Sequence, residues 1–552
     1  MSTQPAEPVP NSSIDADASP VVAGNSLTVA AWTTISRVTG LGRVVAIALV
    51  LGPTFLGNTY QATNLVPYLV FELLTGSLLA GLIVPPIIRH LAAGDLERAR
   101  RVAGGFLGVT ICVFAAAGVV LALGAPLLLN LIAIGVDDPG IAAAQQDAGW
   151  LLLAMFAPQV VLYGVAGVGA AVQNARGRFA LAAGAPAIEN VVIICTLVVF
   201  ALIYGTDSSL ESVGTGELLL LGVGTTLGVV LHAGAQWFGA AHAGLPLVPR
   251  AGWRDPEVRE IARRGLESVG YSGLNAVRIF AAVVVANSIA GGVVAFGLAL
   301  NFYYLPVAIG ARPFASALLP RLARLFQAGA LGRFRVELAG GLALVLFVTV
   351  PAAVFLAVLS GLIGDAVFFG EDQAVGAALV AAALVGLAPG IVGEASFVLS
   401  TQASYATDDA RGPLRAMAVR TALSIAGITA AFALDSSVAV LACLGAAFSL
   451  ANIVGALRLW RQLRLRVGQT RAATIRVVAR DLVASAFMAA AALLVGVTVA
   501  AAFAGEAGEI LGLLAAGVAG GVVLLVAQRA LRAPELAILA GGFRQLRLGG
   551  IV

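Results

Sequence analysis

Lysine is absent from this chain: all 33 basic residues are arginine, a bias that a GC-rich genome accounts for. Charge of either sign is scarce, 11% of residues against 60% hydrophobic, which excludes a string of soluble domains and leaves no basis for a nucleic-acid partner. The three cysteines, Cys112, Cys195 and Cys443, each lie in an apolar run. They offer neither a disulfide framework nor metal spacing and read as small packing residues. His90, His232 and His242 are scattered, and no Walker loop, HExxH or GxSxG is present, so neither an enzyme nor a bound cofactor or metal is expected. The first 27 residues lack arginine, carry Glu7, Asp15 and Asp17, and are rich in Pro and Ser. A cleaved signal peptide needs a basic start, so a disordered tail is expected instead.

What remains is apolar sequence, with a mean hydropathy of +0.97. Runs of about twenty apolar residues, the length that crosses a bilayer as helix, recur from end to end. The expected fold is an all-α polytopic membrane protein. Its fourteen spans fall at 28–51, 58–88, 103–133, 142–172, 180–204, 217–242, 262–289, 292–320, 335–362, 373–402, 412–433, 436–459, 475–503 and 507–530. Arginines fill alternate gaps: Arg89, Arg98, Arg100 and Arg101, then Arg176 and Arg178, then Arg250 to Arg264, and so on to Arg529 and Arg532. The gaps between hold acids, among them Asp137, Asp138, Asp207, Glu211, Asp365, Glu371, Asp372, Asp435, Glu506 and Glu509. By the positive-inside rule both termini are cytoplasmic.

An internal repeat organises these spans. At a constant offset of 235 residues, Pro85, Arg89, Ala93, Gly94, Leu96, Arg98 and Arg100 meet Pro320, Arg324, Ala328, Gly329, Leu331, Arg333 and Arg335. The same offset carries "ARG" at 175–177 onto 410–412, and Arg43 onto Arg278. Six spans is an even number, so the repeat is parallel, with its axis along the membrane normal. The expected domains are a tail (1–27), an N-lobe (28–250), a C-lobe (251–465) and a C-terminal pair of spans with its tail (466–552).

Three arginines lie deep in these spans. Arg37 is about ten residues into the first, ~15 Å along a helix and so near the midplane, and Arg43 sits ~9 Å further on. Arg278 is deep in the seventh span. A central arginine costs ~2.5–3.5 kcal/mol on insertion scales. It can be matched by an internal carboxylate, for which Glu72 or Glu189 could serve, or it can line a hydrated cavity between the lobes. The repeat, which sets Arg43 and Arg278 on opposite sides of its axis, favours the cavity. Two guanidinium forks converging there suit a diphosphate. Glu394, Arg312 and Arg420 are further charges within spans.

"SRVTGLGR" in the first span, "LYGVAGVGAAVQNARGRFALAAGAPAIENVVII" (162–194) and "ALLPRLARL" (317–325) resemble the MurJ/MviN family of lipid II flippases, within the multidrug/oligosaccharidyl-lipid/polysaccharide exporter superfamily. The likeness covers spans 1 to 12. It implies alternating access by two lobes around a cationic cavity, with the polyprenyl tail held along spans 13–14, and it matches Arg37 and Arg43 to two family arginines. The sequence departs where Val44 and Asn58 replace acids, where Phe71 or Glu72 replaces a cavity arginine, and where Asn301 replaces another. Arg278 is a cation the family pattern lacks there. The family's cation site uses acids around spans 7, 11 and 12, where only Glu267 is well placed, which argues against sodium coupling.

The expected function is a flippase for a lipid-linked glycan on a polyprenyl diphosphate, most readily lipid II. Arg37, Arg43, Arg278, Asn58, Asn301 and Glu72 are its expected substrate contacts. Glu189, Glu267 and Glu394 are the coupling or ion-pair candidates. The driving force is the membrane potential or an H+ or Na+ gradient, one unit charge through 100 mV being worth ~2.3 kcal/mol. A monomer is expected, with cell-wall synthesis proteins as possible partners. A cation-coupled drug exporter working through Glu72, Glu189 and Glu394, or a non-transporting envelope scaffold, are the alternatives.

Overall fold

A computed structural model describes residues 20–75, 79–206, 208–368, 374–468, 473–503 and 505–538, leaving aside the side chains of 20–28, 30, 75, 79–82, 264–268 and 473–474. The described residues form helices and loops. The first half runs α1 (Pro20–Leu51), α2 (Phe55–Thr75), α3 (Leu79–Ala92), α4 (Leu96–Ile132), α5 (Pro139–Phe156), α6 (Gln159–Ala175), α7 (Phe179–Tyr204) and α8 (Thr215–His242). The second half runs α9 (Pro256–Ala286), α10 (Gly292–Pro306), α11 (Arg312–Gln327), α12 (Leu331–Val358), the short α13 (Ser360–Asp365), α14 (Ala374–Ala406), α15 (Arg411–Ala431) and α16 (Ser437–Val467). α17 (Ala473–Ala502) and α18 (Glu506–Ala530) follow.

Thirteen helical segments of the described residues are long and apolar enough to cross a membrane. The remaining expected span, 58–88, is divided into α2 and α3 on either side of 76–78, which lie outside the described residues. Large apolar side chains are displayed outward, Leu123 at 79% and Leu202 at 81% exposure, an exterior suited to lipid rather than water. The chain is a multi-pass membrane protein.

Several spans depart from single straight helices for local reasons. The expected span 142–172 breaks at Ala157–Pro158, where proline withholds a backbone donor. The span 292–320 contains a π-turn, Val307–Ala311, between Pro306 and Pro313. α1 starts at Pro20 rather than 28, with proline in the first turn where its missing N–H costs nothing; the rest of the expected tail, 1–19, is outside the described residues.

Helix neighbours repeat between the halves. α1 packs on α7, α7 on α8, α6 on α8, α4 on α6, and α2 and α3 on α5 and α6. Six spans later α9 packs on α15, α15 on α16, α14 on α16, α12 on α14, and α10 and α11 on α14. Glycine lets α14 and α16 close in: a Cβ on Gly386 would lie 3.0 Å from Gly445 Cα. α17 and α18 pack on each other and on α12 and α13.

Candidate functional site

The interior of the second half holds a charged network. Arg278 on α9 is fully buried: Nη1 donates to Asn452 Oδ1 at 2.7 Å, Nη2 to Asn275 Oδ1 at 3.0 Å, and the guanidinium lies 4.5 Å from the Phe448 ring centre. Arg420 on α15 donates Nε to the same Asn452 oxygen at 2.7 Å and pairs with Glu394 on α14. Asn452 in turn donates to the Tyr303 hydroxyl. Asn275 reaches across to the first half, donating to Glu72 Oε1 on α2 at 3.2 Å. Two guanidiniums and two carboxylates thus form one hydrogen-bonded chain with no net charge.

A second cluster lies inside the first half. Glu189 on α7 accepts from the Tyr163 hydroxyl at 3.0 Å, contacts His232 Nδ1 at 2.9 Å, and pairs with Arg43 Nη1 at 3.5 Å. Glu189 is 7% exposed, whereas the Arg43 side chain keeps 26% of its surface and its Nε has no partner.

Other polar groups from the two halves come near one another. Arg37 on α1 and Arg312 on α11 are exposed, yet lie within electrostatic range of each other and of Tyr68 on α2. Arg312 is also in range of Glu72 and Glu394. Two exposed cations, one from each half, thus lie near one another. Asn301 on α10 is exposed as well, its amide donating to Gly297 O at 2.9 Å.

The halves are tied at both ends. At the arginine-poor end, Asn58 is fully buried, donating to Ile289 O at 2.7 Å and accepting from Val293 N at 3.0 Å. Asn287 and Gln145 exchange amide hydrogen bonds at 2.9 and 3.1 Å, and Asn287 also donates to Ile132 O at 2.9 Å. At the arginine-rich end, Arg98 forks onto Asp255 at 2.7 and 3.0 Å, and Glu257 takes Arg89 at 3.0 Å and His90 at 2.9 Å. Asp255 also caps α9 by accepting from Glu257 N at 2.9 Å. Burial works to raise its carboxyl, but the Arg98 hydrogen bond, the backbone donor and the Arg98 charge outweigh it and hold Asp255 below its usual range. The Asp255 hydrogen bond raises Arg98 in return.

These positions correct several expectations. Arg278 faces no cavity here, because Asn452, Asn275 and Phe448 enclose it. Asn58 likewise lines none; it clamps the halves together. Glu394 pairs with Arg420, and Glu189 with Arg43 with His232 alongside, which is the ion-pair alternative expected for these carboxylates and not a correction. Glu72, half-buried, is held by Asn275 rather than filling an arginine's place. Glu267 lies on α9 with its side chain outside what is described. Arg37, expected as a substrate contact, is exposed on α1 and near Arg312. Arg312 was read from sequence only as one more charge within a span, and its position beside Pro306 and Pro313 was the available sign of an irregular helix. Among the described residues no three His, Cys, Asp or Glu side chains gather as a metal site.

A family model described as "Lipid II flippase MurJ" matches residues 47–507. The Rhizobium tropici protein named "Probable lipid II flippase MurJ" is 26% identical over 405 residues, 72% of this chain and 74% of that protein. A solved structure described as "Lipid II flippase MurJ, inward closed conformation" superposes with a TM-score of 0.69 at 16% identity, covering 92% of this chain and 99% of that one. An inward-facing multidrug resistance MATE family transporter of the MOP superfamily superposes at 0.57 with 15% identity, covering 80% of this chain and 94% of that one. The two structures share the fold.

Proposed function

The chain belongs to the MurJ lipid II flippase family, and from that membership we propose that it carries a lipid-linked glycan precursor, lipid II first among them, from the inner to the outer leaflet. It does so by alternating access between two lobes, 28–250 and 251–465, with 466–552 supplying the added pair of spans. It is a transporter, not an enzyme.

One observation supports the reading: Arg37 and Arg312, one from each half, are exposed and lie within electrostatic range of each other, and we place the cargo gap between them. Permanent guanidinium charge there attracts an anionic head group and gives a neutral or cationic drug nothing. The asparagine clamps shut the arginine-poor end, and the gap receives cargo from the arginine-rich side once the Arg98–Asp255 and Glu257 contacts part there. By the positive-inside rule that side is cytoplasmic, as are both termini, in a bacterial inner membrane. In the bound state Arg37 and Arg312 hold the diphosphate, Glu72 and Asn301 border the sugar-proximal space, and Arg43 joins once it leaves Glu189. The lobes then rock as rigid bodies, breaking the asparagine clamps and exposing the head group to the other side. The membrane potential biases the outward passage of an anion from a cell that is negative inside.

The test is replacement of the resident lipid II flippase by this chain in a depletion strain. Growth with lipid II reaching the outer leaflet is the expected result. Arrest with lipid II accumulating inside, although the protein is present in the membrane, overturns the assignment of lipid II as cargo.

A further inference from the structure

We infer that the Glu189–His232 pair inside the first lobe is a proton site, and that proton uptake there is linked to the grip of Arg43 on the anionic head group. The inference rests on the flippase reading for the identity of the anion, but not for the proton site.

Glu189 is shared among three partners of unequal hold. His232 on α8 contacts it at 2.9 Å and Tyr163 on α6 at 3.0 Å, while Arg43 on α1 stands off at 3.5 Å. The long contact belongs to Arg43, whose side chain keeps 26% of its surface against 11% for His232, while its Nε is buried without a partner. Arg43 is therefore the member of the cluster best placed to let go. The other charged or titratable groups around the pair are few. Tyr60 on α2 is buried and bonded to Thr225, Tyr68 packs edge-on against Tyr163, and Asp147 on α5 is exposed.

Charge accounting then links two events. With a neutral imidazole, Arg43 and Glu189 cancel. When a phosphate takes the Arg43 guanidinium, Glu189 is left as a buried anion without a counter-charge, a costly state. A proton on His232 restores neutrality, because the imidazolium donates from Nδ1 straight to Glu189. By linkage, anion binding favours protonation and protonation favours anion binding to the same degree. Arg278, the counterpart of Arg43 in the repeat, has amide oxygens as its partners and no histidine beside it, so the device belongs to the first lobe alone.

Two measurements on the full chain in nanodiscs test this. The first is a histidine NMR titration without ligand between about pH 5 and pH 8, where histidine changes charge. The His232 signal is identified by its loss in His232→Gln. A His232 that does not change charge in this range overturns the proton site whatever the cargo.

The second is binding of undecaprenyl diphosphate over the same range. Wild type is expected to bind about tenfold more tightly at the acid end, one pH unit's worth of linkage. His232→Gln and Glu189→Gln are expected to bind with little pH dependence, and Glu189→Gln at least as tightly as wild type at neutral pH, its Arg43 being free. Arg37→Ala is expected to weaken binding while keeping the pH slope. A wild-type slope retained in His232→Gln, or a flat wild type with a titrating His232, overturns the linkage. Failure of wild type to bind the diphosphate lipid at any pH overturns the flippase reading and the linkage with it, while the titration still decides the proton site.

Discussion

Arg278 and Arg420 share one acceptor: each donates to Asn452 Oδ1 at 2.7 Å, in an interior where both side chains are almost wholly enclosed. Asn452→Leu takes that oxygen from two buried cations at once. Removing one partner of a buried charged contact costs ~3–5 kcal/mol, so a large fall in the detergent melting temperature is expected. Asn452→Asp keeps an acceptor between the guanidiniums and should melt well above the leucine variant. Equal melting of wild type and Asn452→Leu would count against the network.

The exposed and enclosed arginines should separate by phenotype. Arg37→Ala and Arg312→Ala are each expected to weaken diphosphate-lipid binding roughly 10- to 100-fold, the worth of one charged hydrogen bond, with melting unchanged. Arg278→Ala is expected to lower the melting temperature, because it strips Asn452 and Asn275 of their donor. Binding isotherms and melts on the same preparations decide the matter.

The asparagine clamps hold the arginine-poor end closed. Asn58→Ala and Asn287→Ala each remove hydrogen bonds between the halves while leaving helix packing in place. Cysteines placed at Thr54 and Ser288, in a background without the native three, should label faster with a thiol reagent in these variants than in the clamped protein. Unchanged labelling would mean that packing alone keeps that end shut.

Acid should loosen the opposite end. A carboxyl held below its usual range when folded adds stability above the unfolded value, about 3.9 for Asp, and loses it as pH falls through the folded value. The Arg98–Asp255 fork should therefore persist at neutral pH and weaken below about pH 4. Asp255→Asn should blunt that acid-induced change, followed by proteolysis of the 250–257 segment.

Apolar runs of about twenty residues were enough to read an all-α polytopic membrane protein from the sequence, and thirteen long apolar helical segments stand among the described residues. The repeated neighbour pattern of the helices agrees with the offset of 235 residues. The fate of individual charges was less legible. Arg43 and Arg278 are equivalent by position, yet one meets a carboxylate and the other two amides, because their partners sit on helices far away in sequence. Asn58 was read as a substrate contact because it stands where the resembled family has an acid, but at the start of α2 it is held in a backbone clamp. His232 looked idle, since nothing in sequence places it against Glu189, 43 residues earlier. Helix breaks at Pro158 and Pro306 were hidden inside long apolar runs, where composition continues unbroken.

The Arg278 network also constrains the order in which the chain is made. Asn452 emerges from the ribosome 174 residues after Arg278, an interval of roughly ten to thirty-five seconds at about 5–20 residues per second. Glu72, by contrast, is already in the membrane, 203 residues ahead of Asn275. During synthesis α9 can rest its cation near α2 through Asn275 and Glu72 until α14, α15 and α16 arrive to enclose it. The first half thus serves as a template on which the second is assembled, and an isolated second half should insert poorly.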